Sequence, residues 1–110
     1  MFCRIASGDS DAAVVYRDRQ VVAFRDVHPV APIHILIVPI RHIASLIEAR
    51  PEDEDLLTQL LRVARKVAIQ EGVEAEGYRL VLNTGRNAGQ SVFHLHVHLM
   101  GGRIMRWPPG

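Results

Sequence analysis

The sequence is poor in almost everything that staples, anchors or strongly charges a protein. It has one cysteine, Cys3, so no internal disulfide can form, and a reducing, cytoplasmic home is expected. Its first residues lack the basic and apolar pattern of a secretory leader. Formal charge is +1, from 13 Lys and Arg against 12 Asp and Glu, and no block of like charges stands out except Glu52 to Asp55. Neither a nucleic-acid groove nor an anionic membrane is expected as a partner. The longest strongly apolar stretch, Ile33 to Ile40, is interrupted by His34 and Pro39 and falls far short of the ~20 residues of a spanning helix. No repeat, low-complexity tract or linker divides the chain. Residues 1–110 therefore read as a single domain, of a size at which association often adds stability.

What is present is punctuation and period. Ala13 to Tyr16 and Gln20 to Phe24 are β-branched and aromatic stretches around Arg17-Asp18-Arg19, which reads as a hairpin. The prolines of Asp26 to Pro32 predict an extended loop, leading into a strand from Ile33 to Val38 that Pro39 stops. A short helix is expected between Ile43 and Ala49. The main helix begins at Pro51, with carboxylates over its positive end. Leu56, Leu57, Leu60, Leu61, Ala64, Val67 and Ala68 recur at three- and four-residue steps, and Gly72 fits the stop. Strands follow at Tyr78 to Asn83 and Val92 to Met100, joined by the glycine-containing loop 84–90. The sum is an α+β fold: an antiparallel five-stranded sheet with two helices, covered on one side. The Trp107-Pro108-Pro109-Gly110 tail reads as an extended arm.

In Phe93-His94-Leu95-His96-Val97-His98-Leu99-Met100 three histidines fall on every second position. That is the period of a strand, so the imidazoles share one face while Leu95, Val97 and Leu99 cover the other. At ~3.3 Å per residue, neighbouring histidines stand roughly 7 Å apart along a groove, and the row reads as a reactive surface and not a buried core. Imidazoles titrate near ~6.5, which makes them donors, acceptors and nucleophiles at neutral pH. Nitrogen nucleophiles attack phosphorus to give a covalent intermediate that water resolves, so the row suits acyl or phosphoryl transfer. The preceding Gly85-Arg86-Asn87-Ala88-Gly89-Gln90-Ser91 lets backbone N–H groups approach an anion and adds a hydroxyl.

Three other readings compete. Two histidines two apart on a strand can share a zinc ion with a third ligand, but three spread along a strand cannot all reach one ion at ~2.1 Å; no metal is assigned. A glycine-containing loop is more often a plain turn than a phosphate cradle. A lone histidine is usually just hydrogen-bonded or exposed, the ordinary reading for His28 and His42. His34 is intermediate: in an apolar strand it needs a partner, which the histidine strand can supply.

His94-Leu95-His96-Val97-His98-Leu99-Met100 resembles the signature of the histidine triad (HIT) family. The likeness extends through Phe2-Cys3-Arg4-Ile5, Ala23-Phe24-Arg25-Asp26, Ala31-Pro32-Ile33-His34, Ile37-Val38-Pro39 with His42, Gly89-Gln90-Ser91-Val92 and Gly101-Gly102-Arg103 to the Trp107-Pro108-Pro109-Gly110 tail. The branch it is most similar to is that of the histidine triad nucleotide-binding proteins, the purine nucleoside phosphoramidases. The resemblance implies a homodimer whose two sheets join, a purine nucleoside monophosphate site in each subunit, and no cofactor.

Residue by residue, the resemblance makes His96 the nucleophile on the α-phosphorus. It puts His98 on the phosphate or leaving group, and His94 in support of the nucleophile through the strand itself. His34 becomes an orienting and proton-relaying histidine, and Ser91 a hydroxyl near the departing amine. Asp26 falls on the carboxylate that binds ribose hydroxyls. Phe2, Ile5, Phe24 and Val27 match apolar walls around the base, Asn83 and Gly89 fall beside the phosphate, and Trp107 resembles a residue that reaches the partner's site. Arg25 and Ser10 depart from the family beside the base pocket. Some relatives carry a Cys-x-x-Cys pair that can hold zinc, where this chain has Cys3 without a mate. A dinucleoside polyphosphate hydrolase and a nucleotide-sensing binding protein are the alternative functions.

Overall fold

A computed structural model describes residues 12–110. Two strands, β1 (Val14–Arg17) and β2 (Val21–Arg25), form a hairpin. Its turn is held by Asp18, whose Oδ1 accepts from the amides of Gln20 at 2.7 Å and Val21 at 2.8 Å, an aspartate mimicking a backbone turn. A proline-containing loop then leads to β3 (Ile33–Pro39). Helix α1 (Glu54–Gln70) follows, then β4 (Tyr78–Val81) and β5 (Val97–Gly101). The strands make one sheet in the order β1-β2-β3-β5-β4, antiparallel at every pairing.

Strand alternation divides the sheet into two faces. Val21, Ala23, Ile35, Ile37, Val97 and Leu99 join Leu56, Leu60, Val63, Ala64, Val67 and Ala68 of α1 in the main core. Leu60 is 1% exposed, and burying a leucine this fully contributes roughly 1.5–3 kcal/mol. On the opposite face a small cluster of Val22, Phe24, Leu36 and Val38 lies beside His34 and His98, whose positions the β3–β5 register places on that face. No helix among the described residues covers this side. The α1 stop is a Schellman arrangement: the Gly72 amide donates to Ile69 O and the Val73 amide to Ala68 O. Gly72, at φ 73°, supplies the left-handed residue that this motif requires.

Four expected boundaries move by more than one residue: the main helix predicted from Pro51 opens with a 3₁₀ turn, Pro51–Asp53, and becomes α-helical only at Glu54, and three others shift. The short helix predicted over Ile43–Ala49 is a single 3₁₀ turn, Leu46–Glu48, capped by Ser45 Oγ on the Ile47 amide at 3.1 Å. It cannot continue because Pro51 holds Arg50 extended, at φ −113° and ψ 166°. β4 ends at Val81, short of the predicted Asn83. β5 starts at Val97, not Val92, so the histidine row is not one strand throughout. Its ladder with β3 begins at the Ile37–Val97 pair, and beyond Val38 the partner strand reaches Pro39, which has no N–H to give. There the Leu95 amide turns to Ile43 O instead, at 2.7 Å.

Candidate active site on the uncovered face of the sheet

The histidines keep their period even where the ladder stops, since Leu95, Val97 and Leu99 all enter the helix-side core. Their environments nevertheless differ. His94 and His96 are 3% and 8% exposed and His98 is half-buried, so the predicted open row is a mostly buried one. The groove of evenly spaced rings is absent as well. The His96 and His98 ring centroids are 5.0 Å apart in edge-to-face contact, whereas His94 turns away to Pro39 and His42.

That turn sets the protons. His94 Nε2 donates to the Pro39 carbonyl at 2.7 Å, which leaves Nδ1 as the acceptor of the neutral ring, 3.4 Å from His42 Nδ1. The His94 carbonyl accepts from His96 Nδ1 at 2.8 Å. A neutral imidazole carries one proton, so His96 holds it on Nδ1 and its lone pair sits on Nε2. Burial pushes the pKa of His94 down, against the opposing pull of the Pro39 carbonyl, and keeps this ring neutral.

A second chain of bonds sets the other pair. The Val30 amide donates to His34 Nδ1 at 3.1 Å, so the proton of neutral His34 is on Nε2, which meets His98 Nδ1 at 2.9 Å. His98 accepts there and carries its own proton on Nε2. Burial, with His96 and His34 nearby, pushes the His98 pKa down to about 4, and burial also lowers that of His34 despite Asp26. Both rings are neutral at pH 7. The result is an ordered set: a lone pair on His96 and a directed N–H on His98, in rings that touch.

Asp26, His34 and His98 also present ligand atoms within 4.8 Å of one another, close enough to raise the question of a metal ion. With the Val30 bond in place, His34 Nε2 offers a proton and not a lone pair, so this cluster fits hydrogen bonding and not coordination. The His42 and His94 Nδ1 atoms, 3.4 Å apart, share a hydrogen bond in which His94 accepts, and Cys3 lies outside the described residues.

The other candidates are distributed around these rings. Asp26, at the end of β2, places Oδ2 3.5 Å from His34 Nε2 while Oδ1 accepts from the His28 amide at 2.8 Å. Phe24 is buried on the same face, Val27 is 76% exposed beside it in sequence, and Trp107 is 81% exposed. Asn83 lies just beyond β4, and Gly89 and Ser91 are exposed on the loop that precedes the histidines. Phe2, Ile5 and Ser10 fall outside the described residues. Arg25 is directed elsewhere: it stands on the helix side of β2 and pairs with Glu71 at 2.8 Å.

Sequence reasoning missed two side chains. Gln90 is buried and fully engaged: Nε2 donates to Ala44 O at 2.8 Å and Val92 O at 3.1 Å, and Oε1 accepts from the Gly85 amide at 2.9 Å. It staples the loop carrying Gly89 and Ser91 to the body. His42, given an ordinary reading, meets His94. A glutamine inside a glycine-rich loop was the available signal for the first; for the second, no local pattern distinguishes it.

A family model described as HIT domain matches residues 7–105. An uncharacterized HIT-like protein of Synechococcus elongatus is 50% identical over 110 residues, covering 100% of this chain and 96% of its own. Among solved structures, a HIT family hydrolase of Legionella pneumophila superposes with a TM-score of 0.97 at 48% identity, covering 100% of this chain and 98% of its own. A histidine triad nucleotide-binding protein of Candida albicans gives a TM-score of 0.81 at 30% identity, covering 97% and 81%.

Proposed function

From the premise that this chain belongs to the HIT domain family, we propose that it is a purine nucleoside phosphoramidase. On this reading it hydrolyses nucleoside 5′-phosphoramidates, and acyl-nucleotides of the same build, to a nucleoside monophosphate and an amine or acid. The observation that carries the reading is the 2.8 Å bond from His96 Nδ1 to the His94 carbonyl. In the neutral imidazole it places the lone pair on Nε2, the form a nitrogen nucleophile needs.

His96 Nε2 attacks the α-phosphorus, a P–N bond to the enzyme forms, and the P–N bond to the leaving amine breaks. That amine takes a proton, for which His98 Nε2–H and the Ser91 hydroxyl are the donors, with His34 as relay. Water then attacks the phosphorus of the nucleotidyl-histidine and gives a proton back to the group that protonated the amine, and His96 leaves with its lone pair restored. Little covalent work falls on the protein beyond this. Positioning and stabilisation of charge on the phosphoryl oxygens come from His98 and the amides around Gly89, together with Asn83.

Asp26 offers two acceptor oxygens to the ribose hydroxyls, and Phe24, Val27, Phe2 and Ile5 wall the base. The single domain works as a homodimer in the cytoplasm. Its sheets join along β4, which has no strand on its outer side among the described residues. Leu80 of β4 is exposed, as are Leu61 and Ile69 of α1, and Trp107 reaches the partner's site.

The test is a substrate panel varying base and leaving group, run on wild type and His96→Ala, with acid quench to trap the covalent nucleotide. Phosphoramidate turnover and an adduct that both vanish in the variant are the expected result. Faster cleavage of a diadenosine polyphosphate than of any phosphoramidate would move the protein to a hydrolase of that neighbouring class. Tight nucleotide binding without an adduct in wild type would make it a binding protein.

A further inference from the structure

We infer that Arg103 is a positioning residue for the His34–His98 pair, acting through the backbone of Val30. The inference rests on the functional reading above, in which His98 must present Nε2–H to the substrate. Arg103 follows β5 on the exposed side of the molecule and touches neither histidine. Its Nε and Nη2 both donate to the Val30 carbonyl, at 3.2 and 3.0 Å, and its Nη1 donates to Ile104 O at 3.1 Å. Val30 is thus gripped on its carbonyl by Arg103, while its amide grips His34 Nδ1 at 3.1 Å.

The grip matters because Val30 lies in a loop with prolines at 29 and 32 and is 60% exposed. It belongs to no strand, so water competes for both of its peptide groups. A planar fork of two donors fixes the orientation of one carbonyl better than a single flexible ammonium does. The turn before Arg103 is fitted to the same loop: Gly102 has φ 89°, and a Cβ there would stand 2.9 Å from Pro32 Cβ. Both contacts press the exit of β5 onto residues 30–32, the segment that delivers the Val30 amide to His34.

Two tautomer states follow. With the Val30 amide on Nδ1, His34 carries its proton on Nε2, His98 accepts on Nδ1, and His98 Nε2 is a donor. With the Val30 amide displaced, His34 can hold its proton on Nδ1. Its Nε2 lone pair then faces His98 Nδ1, 2.9 Å away, and favours a proton there, which leaves His98 Nε2 an acceptor. In the second state His98 cannot protonate a leaving amine. Arg103 biases the first state from the surface, without contact with substrate.

The experiment reads tautomers directly. Long-range ¹H–¹⁵N spectra of the histidine rings are recorded on ligand-free wild type, Arg103→Ala and Arg103→Lys above pH 7, and kcat and KM are measured on an adenosine phosphoramidate. In Arg103→Ala the His34 Nδ1 signal is expected to move toward the protonated position, with a matching shift at His98. Turnover should fall by about 3- to 10-fold, a part of the ~10²–10⁴ that a full acid–base group supplies, with KM within about twofold. Arg103→Lys should recover part of both changes, since one donor remains for the Val30 carbonyl. Gly102→Ala, which pushes the turn off Pro32, should reproduce the His34 shift with Arg103 intact. Unchanged ring shifts in a folded Arg103→Ala would overturn the inference, because a merely structural arginine leaves the tautomers alone. The ring shifts need no substrate, so their appearance in Arg103→Ala together with a wild type that hydrolyses no phosphoramidate refutes the functional reading and upholds the Arg103 link.

Discussion

The two faces of the sheet are made by the same strands and obey opposite rules. On the covered face, Ile35, Ile37, Val97 and Leu99 meet α1 and are at most 3% exposed; the contacts of this core are apolar and interchangeable in kind. On the uncovered face, His34, His98 and Asp26 share one patch with only the small Val22, Phe24, Leu36 and Val38 cluster beneath. Each group there has one donor or acceptor role that its neighbour depends on. The covered face supplies stability by area, and that surplus lets the other face keep buried polar groups whose value lies in direction. Burial of an imidazole costs free energy unless it is hydrogen-bonded, and His34, His94 and His96 all are.

The sharpest way to break this contrast is to remove the one reactive nitrogen and leave the covered face alone. His96→Ala should lower phosphoramidate turnover by at least ~10³-fold, in the range seen when a nucleophile is deleted, while its melting temperature stays within a few degrees of wild type. Retention of normal turnover would show that His96 is not the nucleophile. The opposite operation is Leu60→Ala on α1. Deleting a leucine side chain that is 1% exposed should cost about 2–5 kcal/mol in denaturant unfolding, with kcat per folded molecule little changed. A variant that kept its stability but lost kcat would mean the two faces are not separable.

A pH titration sharpens the comparison from the other side, because His34 and His98 lie on the uncovered face. His98 is pushed down to about 4 in the folded protein, by burial and by His96 and His34, against an ordinary value near ~6.5 when unfolded. Between those values the unfolded chain binds more protons, so stability rises with pH across that window and is complete above it. Burial also lowers His34 and His94, which steepens the same slope. Melting temperature should therefore fall as pH drops from about 6.5 toward 4. His98→Asn, which keeps an acceptor for His34 Nε2–H, should flatten the curve. An unchanged slope in that variant would show that His98 is not held neutral by its surroundings.

Much of this division was legible in the sequence. Alternation alone assigned Leu95, Val97 and Leu99 to one side and the histidines to the other, and the three- and four-residue spacing from Leu56 to Ala68 identified the covering helix with its Gly72 stop. The strand count and the order of elements came from the same patterns. Hidden were the features that depend on a distant partner. Nothing near His94 announces that its ring will turn to the Pro39 carbonyl and His42, nor that the ladder of β5 will begin only at Val97 because Pro39 faces the earlier residues. Val30 and Arg103 are 73 positions apart, and a backbone amide that sets a tautomer leaves no trace in side-chain identity. Arg25 shows the reverse case: the family resemblance put it beside the base pocket, but adjacent residues of a strand face opposite ways, and the structure pairs it with Glu71.

That pair ties the sheet to the helix at the edge of the covered face, and it yields the smallest expected effect. Arg25 Nη1 and Nη2 reach Glu71 Oε1 and Oε2 at 2.8 and 3.2 Å, joining the end of β2 to the C-terminal cap of α1 one residue from Asp26. The arginine side chain is 46% exposed, so solvent and salt screen the attraction, and exposed pairs contribute about 0.2–1 kcal/mol. Glu71→Gln should lower the unfolding free energy by that amount or less, with the difference shrinking as salt is raised. The more informative reading is KM. If Arg25 serves only as a tie between layers, KM for adenosine and guanosine phosphoramidates should each stay within about twofold of wild type in both Glu71→Gln and Arg25→Gln, by the same factor-of-ten-per-1.4-kcal/mol arithmetic. A base-selective change in Arg25→Gln that Glu71→Gln does not share would return the arginine to the uncovered face and assign it to the base.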